Sequence, residues 1–268
     1  MTEDEIEIIN GKWDHIEVVK NKSAETATIT LDNPEKMNML NFIARSQLRA
    51  IFDILDNDDE VRVVIIKGAG EKAFSSGGNI KEFMEHHPDE LSKLHMNVAA
   101  PERSPKPVIA QLQGYTFGVG LEIAMACDFR IASESTQLAM PEIRLGMIPG
   151  SGGTQRVSRI VGITRAKDML MRARRIPSHE ALQWGLLTSV VPQKDLDNEV
   201  HNLAMELRAF SPLAMRVLKS VLNQTQGIPL ESGLEIEGYA FGLLRSTYDF
   251  AEGVDSFVNK RKPKFKGE

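Results

Sequence analysis

The stretch GYTFGVGLEIAMACD, residues 114–128, decides how the rest of the chain is read. An extended apolar run, PVIAQLQ over residues 107–113, enters it. A compact run suited to a helix, LEIAMACD over residues 121–128, leaves it. Gly114, Gly118 and Gly120 let the backbone turn sharply and approach a ligand closely. The first amides of a helix have no intrahelical acceptor, so they point at whatever occupies the turn. A carbonyl oxygen gaining negative charge is stabilised by such donors. Glu122 stands in the first turn of that helix, beside those amides. Glu142 follows in AMPEIRLGMIPGSGG, a second turn rich in glycine and proline. Two carboxylates near an oxyanion-type site suit proton transfer next to a carbonyl.

Working outward, strand-like and helix-like runs alternate. Residues 15–20 (HIEVVK) and 26–31 (TATITL) alternate apolar and polar side chains, as paired strands do. Residues 31–38 form a loop broken by Pro34. Phe42, Leu48, Ile51, Phe52 and Leu55 share one face of a helix over residues 41–57. Residues 61–67 (VRVVIIK) read as a buried strand, and residues 68–78 as a long glycine-rich loop. Asn79 is placed to cap a helix over residues 79–87 that Pro88 ends, with a second amphipathic run from Asp89. Residues 129–133 and 187–191 are further strands, and helices fill residues 154–161, 164–173 and 178–184. From Asp195 the chain reads as helix, broken near Pro212 and Pro229. The pattern is an α/β core followed by a helical annex.

Composition narrows the class. The 268 residues are 42% hydrophobic and 26% charged, ordinary for a globular chain with a sizeable core. A net charge of −5 weighs against general nucleic-acid binding. The single cysteine, Cys127, excludes an internal disulfide and a multi-cysteine zinc site, and it sits among small apolar residues as a core side chain would. The opening MTEDEIEIIN is acidic, reads as loosely ordered and lacks the features of a signal peptide. No run reaches the roughly 20 apolar residues of a membrane helix. A soluble, cytoplasmic protein is the expectation.

Each candidate site has a plainer reading beside it. A glutamate near a helix N-terminus is favoured by the dipole alone, so Glu122 and Glu142 could be helix-terminus charges. Their apolar neighbours (Phe117, Leu121, Ile123; Met140, Ile143, Leu145) argue for more, because carboxylates are rarely buried without a reason. Gly77-Gly78-Asn79 is either an ordinary loop or the source of a second amide aimed at the same oxygen. Gly150, Gly152 and Gly153 match neither a phosphate loop nor a dinucleotide fingerprint, and read as close helix packing. His86 and His87 read as solvated, and the methionines of residues 165–171 as packing. The basic tail over residues 260–267 is a solvated end or a contact for ligand phosphates.

These segments, in this order, resemble the crotonase superfamily, also called the enoyl-CoA hydratase/isomerase family. The resemblance runs nearly the whole length. Residues 73–83 (AFSSGGNIKEF) resemble its first oxyanion loop, and residues 106–133 its signature segment. Residues 137–162 resemble its second catalytic segment, and residues 175–192 and 257–267 its later pattern. The resemblance implies a crotonase-like spiral of ββα units over residues 1–200, carrying the coenzyme A (CoA) and active sites. It implies a C-terminal α-helical oligomerisation region over residues 201–268, making trimers or dimers of trimers. It also implies an acyl-CoA thioester substrate, with no metal and no cofactor beyond the CoA of the substrate.

By the same resemblance the oxyanion donors fall on the amides of Gly78 and Val119, and the catalytic pair on Glu122 and Glu142. The CoA contacts fall on Gly78, Asn79, Ile80 and Lys81, and on Phe257 and Lys260, the last two sometimes from a neighbouring subunit. Val119 stands where many members have glycine, and Asn79 where aspartate is usual; both bear on acyl preference more than on reaction class. The implied reaction is syn hydration of a 2-enoyl-CoA. Double-bond isomerisation, or hydration of a cyclic or aromatic acyl group, is the alternative on the same fold. A non-catalytic RNA- or protein-binding role and a nicotinamide dehydrogenase are rivals of other classes. The acidic charge and both glutamates weigh against the first, and the missing fingerprint against the second.

Overall fold

The computed structural model describes residues 6–9, 11 and 13–268; most of the opening segment read as loosely ordered lies outside the described residues. Strand β1 (Ile6–Ile8) pairs with a hairpin of β2 (Ile16–Asn21) and β3 (Thr26–Leu31). Helix α1 (Phe42–Asp56) follows; the Asn41 side chain caps it by accepting the Ala44 N–H at 2.7 Å. Next come β4 (Val63–Gly68) and β5 (Ala73–Ser75), then three single-turn helices, α2 (Pro88–Leu91), α3 (His95–Val98) and α4 (Ala100–Arg103). The centre holds β6 (Val108–Leu112), β7 (Tyr115–Phe117) and α5 (Val119–Ala126). After it come β8 (Phe129–Ser133), β9 (Gln137–Ala139), α6 (Gly153–Val161), α7 (Ile163–Met171), β10 (Ile176–Pro177), α8 (Ser178–Gln183) and β11 (Ser189–Val191). Four helices close the chain: α9 (Leu196–Arg208), α10 (Pro212–Thr225), α11 (Leu230–Leu244) and α12 (Tyr248–Val258).

Two sheets organise these elements. A seven-stranded sheet has the order β1-β2-β3-β4-β6-β8-β11, parallel from β3 onward. A four-stranded sheet has the order β10-β9-β7-β5. The pairs β4/β5, β6/β7 and β8/β9 each give one strand to the large sheet and the next to the small one, with helix after each pair. This repeat is the expected ββα spiral.

The middle strands β4 and β6 of the large sheet are buried on both faces, as continuous apolar strands require. Val64, Ile66, Val108, Ala110 and Leu112 face a core shared with α1 and α5. Their alternates Val63, Ile109 and Ile131 face Leu196, Val200, Ala204 and Leu207 of α9. Residue 200, the border drawn from sequence, therefore falls inside a helix that packs on the sheet. Farther on, Lys219 of α10 is anchored over the core by Asp128 Oδ2 at 2.7 Å and the carbonyls of Pro101 and Lys106.

Four local readings need correction. The loop of residues 68–78 contains β5, which is too short to show a period. Residues 79–87 do not form one helix: Ile80–Met84 is a 3-10 turn, and Asn79 does not cap it. Its side chain donates to Glu82 Oε1 at 2.8 Å instead. Pro88 opens a helix rather than ending one, because at the first helical position its missing N–H costs nothing. His86 is half-buried rather than solvated, with its ring 4.3 Å from that of Phe42 and its Nδ1 2.8 Å from Glu90 Oε2.

Candidate active site

Two loops meet where the small sheet ends. The backbone after β5 and the N-terminus of α5 touch without room for side chains between them. A Cβ on Gly120 would sit 2.6 Å from Ser75 Cβ, and one on Gly118 would sit 3.7 Å from Gly77 Cα. Gly77 has φ 109° and Gly118 φ 50°, both in the region glycine tolerates best.

This contact brings together the two amides expected from sequence. Leu40 donates to Gly77 O at 2.9 Å and accepts from Asn79 N at 3.0 Å, a parallel bridge that turns the Gly78 N–H away from Leu40. Val119 is the first residue of α5, where no intrahelical acceptor exists. Neither N–H donates a hydrogen bond among the described residues. Two unengaged amides thus stand on touching loops.

Glu122 is almost wholly buried, at 2% exposure, on the inner face of α5. Its Oε1 accepts from Ser151 N and Gly153 N, each at 2.8 Å. Burial pushes its carboxyl up from the usual range; the two amides, Arg45 and Arg156 oppose this. Of the three glycines read as close packing, Gly150 is exposed with nothing near it, and Gly152 faces only the end of the Arg156 side chain. Only Gly153 packs closely, where a Cβ would lie 2.7 Å from Met140 Sδ. That packing also aims the Gly153 and Ser151 amides at Glu122, a role that no residue type signals from sequence.

Glu142 opens the 3-10 turn Glu142–Leu145 and leans over Gly118, where a Cβ would come 3.1 Å from its Oε1. Its Oε2 is sealed from solvent and has no hydrogen-bond partner. Burial pushes its carboxyl up to about 7; its own backbone N–H opposes the shift, the Glu122 charge adds to it and Arg45 opposes it. The two carboxyls thus sense each other's charge at one site.

The remaining candidates divide. Asn79 is half-buried beside the oxyanion loop, and Ile80 and Lys81 are exposed next to it. Phe257, 85% exposed, and Lys260 stand at the end of α12, joined to that loop by no hydrogen bond or ring contact among the described residues. Among the same residues no group of three or more His, Cys, Asp or Glu side chains is arranged to hold a metal ion. No helix is long and apolar enough to cross a membrane. Sequence reading also missed Arg45, a guanidinium buried behind Gly78; its signal was a charge on the apolar face of α1.

Comparison with known proteins converges on one group. The family model described as "Enoyl-CoA hydratase/isomerase" matches residues 21–268. The short-chain-enoyl-CoA hydratase of Clostridium acetobutylicum is 36% identical over 91% of this chain and 95% of its own. The crotonyl-CoA hydratase of Syntrophomonas wolfei is 35% identical over 92% of this chain and 97% of its own. The crystal structure of an enoyl-CoA hydratase from Bacillus anthracis superposes with a TM-score of 0.86 at 33% identity, covering 98% of this chain and all of that one.

Proposed function

Because the chain belongs to the enoyl-CoA hydratase/isomerase family, we propose that it catalyses reversible syn addition of water to a 2-enoyl-CoA, giving a 3-hydroxyacyl-CoA. The observation that carries this reading is the pairing of two unengaged amides with two carboxyls in unlike surroundings. The thioester oxygen lies between Gly78 N–H and Val119 N–H. As water adds to the β-carbon, charge collects on that oxygen, where each donor contributes about 3–4 kcal/mol of transition-state stabilisation.

The surroundings of the carboxyls divide the proton work. Burial raises the Glu122 carboxyl as well, but the two main-chain N–H groups it accepts favour its ionised form, and on that ground it is assigned to orient water and take its proton. Glu142, pushed up to about 7, is protonated in a large share of molecules at neutral pH, and that form delivers its proton to the α-carbon. The hydroxide oxygen bonds to the β-carbon, and the net change is one water added. A proton passing from Glu122 back to Glu142 resets the pair, so the active form holds one shared proton.

The CoA moiety rests on the segment Gly78 to Lys81, with Phe257 and Lys260 reaching it from a neighbouring subunit. That placement accounts for their exposure within one chain. The helical region over residues 201–268 is the proposed oligomerisation surface, in a trimer or dimer of trimers. Leu230, Tyr239, Phe241 and Leu243 of α11 are each more than 70% exposed, an apolar surface that association would cover. No metal and no separate cofactor enters this scheme, and the enzyme works in the cytoplasm.

The test is turnover of a panel of short, medium, branched and cyclic 2-enoyl-CoA thioesters in isotopically labelled water. Loss of the conjugated-thioester absorbance with label at C3 is the expected result. Migration of the double bond without label would make the protein an isomerase.

A further inference from the structure

We propose that Arg45 is a positioning residue for this reaction: its guanidinium, lodged behind Gly78, supplies the fixed positive charge that sets the ionisation of the Glu122–Glu142 pair. The inference rests on the proposed hydratase reading. It starts from a charge where none is expected. Arg45 lies on the buried face of α1, beside Ala44 and one turn before Leu48, and is 2% exposed. The rings of Phe42 and Phe83 flank it at 5.1 and 5.4 Å from the guanidinium carbon. A Cβ on Gly78 would overlap its Nη2, so the guanidinium fills the space where position 78 would carry a side chain.

A guanidinium stays charged in proteins and is normally paired when buried. Among the described residues Arg45 has no carboxylate within ion-pair distance, and its Nε is sealed without a hydrogen-bond partner. The acidic groups whose charges reach it are Glu122 from α5, Glu82 from the turn after Gly78, and Glu142. Glu82 is itself engaged, accepting from Phe42 N and from Asn79. From the other side, Glu122 faces Arg45 and Arg156, and Glu142 faces Glu122 and Arg45. Arg156 is already paired with Glu102. Arg45 is thus the uncompensated cation common to both carboxyls. A cation held there, with Nη2 where a Cβ on Gly78 would stand, favours the ionised form of each.

The experiment is the pH dependence of kcat/KM for the wild type, Arg45→Lys, Arg45→Gln and Arg45→Met. In the neutral variants both limbs of the profile move to higher pH by about half a unit or more, a threefold change in rate on either limb. kcat falls by a larger factor than KM rises. Arg45→Lys keeps the limbs of the wild type. Limbs that stay in place in a folded neutral variant, however slow, would reduce Arg45 to packing and overturn the proposal. So would a lysine variant that shifts as the neutral ones do. Should neither neutral variant fold, Glu82→Gln carries the test with the sign reversed: removing the competing anion moves both limbs down, and unmoved limbs refute the idea. If the wild type adds no water at all, the hydratase reading fails instead. The carboxyl carbon resonances of Glu122 and Glu142 then report the same shifts without turnover.

Discussion

The turn that carries Glu122 and the turn that carries Glu142 serve one site but are built in opposite ways. Around Glu122 the chain has closed in: two amides from a separate loop hold one oxygen, and the α5 helix is buried along its whole length. Around Glu142 the chain is open. Its 3-10 turn has no buried residue, Ile143, Leu145 and Ile148 are each more than 45% exposed, and one carboxyl oxygen meets no partner. The difference teaches how two identical side chains can be given unlike tasks. The donors on Glu122 favour its charge against burial, and the lack of a partner on Glu142 Oε2 favours its proton.

The largest expected effect treats the two alike. Glu122→Gln and Glu142→Gln each lower hydratase kcat by roughly 10²–10⁴-fold, read as the steady-state loss of enoyl absorbance. A variant retaining wild-type turnover would strike its glutamate from the scheme. Stability then separates them. Glu122→Ala strands the amides of Ser151 and Gly153 and costs about 2–4 kcal/mol in denaturant unfolding. Glu142→Ala removes an oxygen that had no partner and leaves stability within about 0.5 kcal/mol. Equal losses would mean that the supports do not differ as described.

Gly118→Ala lies at the contact between the regions. With φ 50° and ψ −127°, the position is strained for any side chain, and the variant loses about 1–3 kcal/mol. Its Cβ also presses on Glu142 Oε1, so kcat falls with it. The pH profile is a finer probe. With Glu142 pushed up to about 7, the shared proton is lost above that value, and kcat/KM drops about tenfold per unit there. A flat profile from pH 6 to 9 would remove Glu142 as the proton source. The smallest effect on turnover is that of Asn79→Ala, which deletes one bond to Glu82, costs about 1 kcal/mol of stability and leaves kcat within about twofold.

Much of this was legible in the sequence, and what was not has physical reasons. Strands β2, β3, β4, β6 and β8 of the large sheet and helix α1 were readable because runs of five or more residues suffice; the three-residue β1, in the opening read as loosely ordered, was not. Strands β5, β7 and β9 have three residues each, and their partners are set by the spiral rather than by local pattern. The positions of Glu122, Glu142, Gly78 and Val119 were marked by glycine-rich turns and by the family resemblance. What holds them was hidden. Ser151 and Gly153 act through main-chain amides, which every residue but proline possesses, and only tertiary contact assigns them. Arg45 did leave a mark, a charge set among Ala44, Leu48 and Ile51, but period alone assigns it no partner.

The central claim is geometric, so a structure with ligand tests it most directly. A crystal of the protein with a non-reacting 2-enoyl-CoA analogue should show the thioester oxygen about 2.7–3.1 Å from both Gly78 N and Val119 N, with the two carboxyls over the adjacent carbons. A thioester oxygen bound away from those amides, or either carboxyl turned out of reach of C2 and C3, would contradict the account.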